Sequence, residues 1–214
     1  MALAAVTFDG SIELLRAVHA ERRSAIRSRL TEFAKVPREE YFYECVYCLL
    51  TPQSSAVNAG KAVLALREHD FQNKEINPEP LLHTKEYYIR FHKTKTKHLT
   101  EFKRLFPELF ALLCDETPGR QVREWIVTNV QGMGWKEASH VLRNIGYRDL
   151  AILDRHILRN LVRAKVLNEL PKTLTSKTYL SVEEKFLTFA QQLNIPMDEL
   201  DLLFWSMETG AILK

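Results

Sequence analysis

QGMGWKEASHVLRNIGYRDLAILDRHIL, residues 131–158, is the stretch on which the fold turns. The chain has only seven glycines, and three of them (Gly132, Gly134, Gly146) fall within this segment. Clustered glycine in a glycine-poor chain marks a special backbone. QVREWIVTNV (121–130) before it and WKEASHVLRNIG (135–146) after Gly134 both carry helical periodicity, so 120–146 reads as helix, four-residue hairpin, helix. Gly132 and Gly134 are expected to take positive φ and leave backbone N–H groups open, with Met133 anchoring the turn. Those amides and the start of the second helix form a site for a phosphate oxygen. Lys136 stands one or two residues into that helix, where the dipole disfavours an ammonium. A neutral amine is a nucleophile for carbon. Asp154 precedes the basic amphipathic RHILRNLVRA and reads as an N-cap whose ionised carboxylate can also stabilise nearby positive charge.

Working outward, helical period dominates the chain. SIELLRAVHA with Ser11 as cap, SAIRSRLTEFAKV, the apolar REEYFYECVYCLL, and SSAVNAGKAVLALREH capped by Ser54 or Ser55 read as separate helices. Further helices are expected over 96–113, 120–130, 135–145, 155–166, 179–193 and 197–207. Sustained strand alternation is missing. The expected class is all-α, in two helical domains with an active-site cleft between them. One domain would be the central bundle 38–149, and the other 1–37 with 150–214. Lys136 would then face Asp154 across the cleft.

Composition narrows the function classes. Of the 214 residues, 46% are hydrophobic, enough for a core and too many for disorder. No apolar run reaches the roughly 20 residues of a membrane helix. The start MALAAVTFDGS has no basic region of a secretory leader. Three cysteines (Cys45, Cys48, Cys114) suit a reducing compartment rather than a disulfide scaffold, so a soluble cytoplasmic protein is expected. Net charge is +3, but residues 85–104 hold seven Lys/Arg against two Glu, while 181–201 hold five acids and one lysine. A local basic excess on a nearly neutral chain suits a polyanion. Lys93, Lys95 and Lys97 are its candidate phosphate contacts.

With GMGWKEA and ILDRHIL in place, the chain resembles the helix-hairpin-helix DNA glycosylases that carry a catalytic Lys and Asp. CLLTPQSSA, RFHKTKTKHL and the terminal DLLFWSMETGAILK extend the resemblance, from about residue 40 onward, to the archaeal and bacterial type 2 8-oxoguanine DNA glycosylase/lyases. The resemblance implies a DNA repair enzyme that takes double-stranded DNA containing 8-oxoguanine and acts as a monomer. Lys136 would attack C1′ and Asp154 would stabilise the sugar cation. Phe91 and Trp205 would stack on the flipped base, and Asp201 and Lys214 would address its edge. Gln53 would face the DNA, and Gly132 and Gly134 would hold a phosphate. Residues 147–153 (YRDLAIL) depart from the Gly/Pro-rich loop common in the superfamily. The four-cysteine loop of the endonuclease III branch is absent, and Cys45 and Cys48 lie within an apolar helix, so no iron–sulfur cluster or other cofactor is expected. A monovalent cation at the hairpin is the one ion that the resemblance allows. The competing readings are an endonuclease III-like glycosylase for oxidised pyrimidines and a non-catalytic helix-hairpin-helix DNA-binding module.

Overall fold

The structure is a computed structural model and describes residues 4–115 and 117–212. Among the described residues ten α-helices run in order: α1 (Ile12–Ala34), α2 (Tyr41–Leu50), α3 (Ala56–Glu68), α4 (Glu79–Leu82), α5 (His92–Cys114), α6 (Gly119–Asn129), α7 (Trp135–Asn144), α8 (Arg155–Arg163), α9 (Ser176–Leu193) and α10 (Met197–Thr209). Among the described residues no strand forms; His83 and Tyr88 make one isolated antiparallel bridge. No helix among them is long and apolar enough to cross a membrane. The described residues divide into two compact units, 1–35 with 142–214, and 36–141. The chain passes between them inside α7, where the helical period has no break.

In the first unit, the two helices expected before residue 37 are one. No Gly or Pro interrupts residues 12–34, and Leu15, Val18, Arg22, Ile26, Leu30 and Phe33 form one buried stripe at three- and four-residue steps. Ser11 caps it by accepting from the Leu14 N–H at 3.1 Å. The stripe packs on α10, whose Leu200, Leu203 and Phe204 are fully buried. Phe204 meets Phe8 and Phe186 at 5.5 and 6.3 Å between ring centroids. The buried Arg22 guanidinium donates to Ser206 Oγ at 3.0 Å and to the Ala4 carbonyl at 2.6 Å. Its charge is thereby hydrogen-bonded, as burial demands.

Residues 150–153 are buried without regular structure, which leaves backbone groups to be satisfied by side chains. Helix α9 supplies them. Glu183 accepts from the Ala151 N–H at 2.8 Å. The Tyr179 hydroxyl accepts from the Leu153 N–H at 3.2 Å and donates to the Ala151 carbonyl at 2.5 Å. This pair one helical turn apart holds the segment that delivers Asp154. Tyr179→Phe leaves a buried N–H and a buried C=O without that partner and is expected to cost about 1–3 kcal/mol. For a chain of this size that lowers the melting temperature by roughly 2–4 °C per kcal/mol. A calorimetric melt checks it; an unchanged midpoint would show that the segment holds itself.

The second unit is built around α2, nine of whose ten residues are buried. Phe42 stacks on Phe102 at 5.5 Å and meets the edge of Phe106 at 5.1 Å. Cys45 and Cys48 lie within this helix as buried thiols, and burial pushes the Cys45 thiol well above its ordinary range. Helix α5 packs on α2 and α6 through a stripe of Lys95, Leu99, Phe102, Phe106, Leu109 and Leu113. It starts at His92, four residues before the sequence expectation, with Phe91 at its N-cap.

Candidate active site

In the second unit, α6, the turn 130–134 and α7 form the hairpin. Met133 is buried between exposed Gly132 and Gly134, so the turn is pinned by its apolar residue and its backbone stays open to approach. Gly132 has φ +87°, and a Cβ there would strike the His98 imidazole. Gly134 differs from the expectation: its φ is not positive. It is the N-cap of α7, its carbonyl accepting from the Ala138 N–H at 2.9 Å. Behind the turn, buried Arg123 ties α6 to α7 by donating to Ser139 Oγ at 3.1 Å and lying 5.0 Å over the Trp135 ring. The Val130 carbonyl accepts from the Met133 N–H at 3.2 Å.

Lys136 is the second residue of α7, with its side chain 32% exposed. Its Nζ lies 3.2 Å from Glu137 Oε1. The other oxygen of Glu137 accepts from the Gly134 N–H at 3.2 Å. Glu137 therefore does two things at once. It is the reaching-back half of a capping box, with Gly134 at the cap position, and it offsets the unfavourable placement of an ammonium at a helix start. Gly134-x-x-Glu137 is the spacing of that motif, with glycine in the place of the usual serine or threonine. One of the hairpin amides expected to be open is thus bonded to a carboxylate.

The basic segment divides by helix face. Lys93 and Lys97 are exposed, as phosphate contacts require. Lys95 is not: it lies on the buried stripe of α5, 6% exposed, and is corrected from a phosphate contact to an internal cation. Its Nζ donates to the carbonyls of Leu50 and Pro52, both at 2.7 Å, and to Ser54 Oγ at 3.3 Å. Burial pushes this ammonium down to about 8, with Glu137 pulling the other way. Phe91 is 49% exposed with φ +59°, and the Arg90 guanidinium lies 4.9 Å over its ring. Exposure of that size removes the alternative of a core phenylalanine. Gln53 is also exposed with positive φ, at +56°. A left-handed backbone at a non-glycine residue costs of order 1–3 kcal/mol and persists only where its surroundings impose it.

In the first unit, Asp154 caps α8: Oδ1 accepts from the Ile157 N–H at 2.8 Å. Partly exposed, it has the geometry for the cap and a carboxylate to spare. Asp201 is not an exposed helix acid. It is 4% exposed, Oδ2 accepts from Arg143 at 3.0 Å, and buried Oδ1 has no hydrogen-bond partner among the described residues. Burial pushes its carboxyl up to about 7, Arg143 pulls it down, and Asp154 and Asp198 push it further up. Between about pH 4 and pH 7 the folded chain keeps a proton that the unfolded chain has released, so stability declines as pH rises across that window. Asp201→Asn is expected to flatten that slope in melts spanning the window; a slope identical to wild type would assign it to other groups.

Trp205 follows Asp201 by one helical turn on the same face and is half-buried, between fully packed Phe204 and Ser206. Its ring lies 5.3 Å from that of His156 at 56°. His156 thus packs on a candidate site ring. His140 packs against Tyr47 at 6.2 Å. Lys214 lies outside the described residues.

The profile of the 8-oxoguanine DNA glycosylase family matches residues 26–195. The 8-oxoguanine DNA glycosylase/AP lyase of Fusobacterium nucleatum is 40% identical over 209 residues, covering 92% of this chain and 94% of the relative. The Korarchaeum cryptofilum protein of the same name is 35% identical, over 94% and 96%. A crystal structure of the Methanocaldococcus jannaschii 8-oxoguanine glycosylase/lyase, in complex with a 15mer DNA containing 8-oxoguanine, superposes with TM-score 0.84 at 31% identity, covering 95% of this chain and 99% of that one. The helical architecture, the hairpin with its lysine and the near-complete coverage agree: the chain belongs to the 8-oxoguanine DNA glycosylase family.

Proposed function

We propose that this protein is a bifunctional DNA repair glycosylase that acts as a monomer on double-stranded DNA. It excises 8-oxoguanine and then cleaves the strand 3′ to the abasic site. The observation that carries this reading is Lys136, a partly exposed amine at the start of α7 directly after a glycine turn. A glycosylase that used water alone would have no need of such an amine.

In the proposed sequence the hairpin backbone receives a phosphate and the damaged nucleotide leaves the stack, at a cost of a few kcal/mol. Lys136 sheds a proton, for which the Glu137 carboxylate is within reach. The amine attacks C1′ as the bond from C1′ to the base breaks, and the electron pair leaves with the base. Asp154 stabilises the positive charge that develops on the sugar. The C1′–O4′ bond then breaks as the new ammonium passes a proton to O4′, leaving a protonated Schiff base on Nζ. Loss of a C2′ proton drives β-elimination, and the bond from C3′ to its oxygen breaks with the electron pair leaving on the phosphate oxygen. Phe91 and Trp205 offer ring faces to the base, and Asp201 and Lys214 address its edge. No step draws on redox or Lewis-acid chemistry, so no cofactor is proposed.

A panel of duplexes tests the reading: 8-oxoguanine, guanine, an oxidised pyrimidine, and a preformed abasic site. Release of 8-oxoguanine with strand cleavage is expected, with guanine left in place. Preferential release of the oxidised pyrimidine would point to an endonuclease III-like activity, and binding without release to a non-catalytic module.

A further inference from the structure

Two positions assigned to face DNA, Gln53 and Phe91, lie 38 residues apart in sequence, and both hold a left-handed backbone. Three contacts join the segments that carry them. Ser54 Oγ accepts from the Arg90 N–H at 3.0 Å, Asn58 Nδ2 donates to the Tyr88 carbonyl at 3.1 Å, and Lys95 reaches across to the turn. Lys95 is the buried one. Its own N–H closes the first turn of α5 onto the Phe91 carbonyl at 3.0 Å. Its ammonium has three protons, and three acceptors surround it: the Leu50 and Pro52 carbonyls and Ser54 Oγ. Leu50 is the last residue of α2, so the cation also sits where that helix exposes its negative end. If packing alone mattered, an apolar residue would fill this place on the α5 stripe without the cost of burying a charge.

We propose that Lys95 is a positioning residue, which locks the 51–54 turn onto the first turn of α5 so that Gln53 and Phe91 are presented as one rigid piece to the damaged nucleotide. The inference rests on the glycosylase reading. It assigns Lys95 to capture of the flipped base and gives it no step in the Lys136 chemistry.

The test compares two substrates. Lys95→Met keeps the length and apolar stem of the side chain and removes the donors. Its single-turnover excision of 8-oxoguanine is expected to fall about 10²-fold, the scale of an ångström of misplacement. Borohydride trapping on a preformed abasic duplex, with enzyme in excess, needs no base to be captured and is expected to stay at the wild-type level. Ser54→Ala removes one acceptor of Lys95 and the acceptor of the Arg90 N–H from a partly exposed turn, so folding is spared; it is expected to show the same selective loss in smaller measure. Equal excision and trapping in both variants, or equal loss of the two activities in Ser54→Ala, overturns the proposal. Should Lys95→Met fail to fold, Ser54→Ala alone decides. A wild-type protein that releases no base removes the glycosylase reading and this inference with it.

Discussion

Lys136→Gln is expected to abolish the borohydride-trapped protein–DNA adduct and to lower 8-oxoguanine excision by roughly 10³- to 10⁶-fold, the range seen when a nucleophile is removed. The substitution is conservative for folding. Lys136 is partly exposed at the second position of α7, where the helix dipole opposes its charge. Its partner Glu137 keeps the bond from the Gly134 N–H, so the cap survives. A solvent-accessible ion pair of this kind contributes about 0–1 kcal/mol. The melting temperature should therefore stay near wild type while the chemistry disappears, and duplex binding should persist. Activity checked by denaturing gel and stability checked by calorimetry separate the two. An adduct of undiminished yield in Lys136→Gln would remove the lysine from the mechanism.

Asp154→Asn is the second large effect, because it divides two roles that one carboxylate holds. The cap on α8 is a bond from the Ile157 N–H to Oδ1, and asparagine caps as well as aspartate. The variant should fold with wild-type stability. It loses the negative charge that stabilises the sugar cation, and excision should fall about 10²- to 10³-fold, as when one preorganised electrostatic partner is removed. Asp154→Ala gives the contrast. It loses the cap as well, at about 1 kcal/mol, so its melting temperature drops along with its rate. Wild-type excision by Asp154→Asn would leave Asp154 a cap and nothing more.

Much of the fold was legible because helical period and glycine placement are local signals. The hairpin, the caps at Ser11, Ser55 and Asp154, and the end of α2 at Leu50 follow from neighbouring residues. The division of α1 into two helices was an error of the same local kind: a polar stretch at its middle hid a continuous stripe through Arg22. Lys95 shows where charge counting fails. A run of lysines gives a net field but not a facing, and four residues on from Phe91 the helix turns Lys95 inward. The stripe was visible in the sequence once a lysine was allowed to belong to it. Glu137 was legible as a capping spacing and was missed because glycine stood in the place of serine. Tyr179 and Glu183 carry no such signal: their partners lie about 30 residues away and exist only once α9 has packed. The ion pair of Arg143 with Asp201 is of the same tertiary kind.

The central claim is that the Lys136 amine becomes covalently joined to the sugar of a damaged nucleotide. The most direct measurement is borohydride trapping on an 8-oxoguanine duplex and on the same duplex with guanine, followed by peptide mapping of the adduct by mass spectrometry. An adduct is expected on the 8-oxoguanine duplex alone, with the sugar remnant on Lys136. No adduct, or a remnant mapped to another lysine, would contradict it.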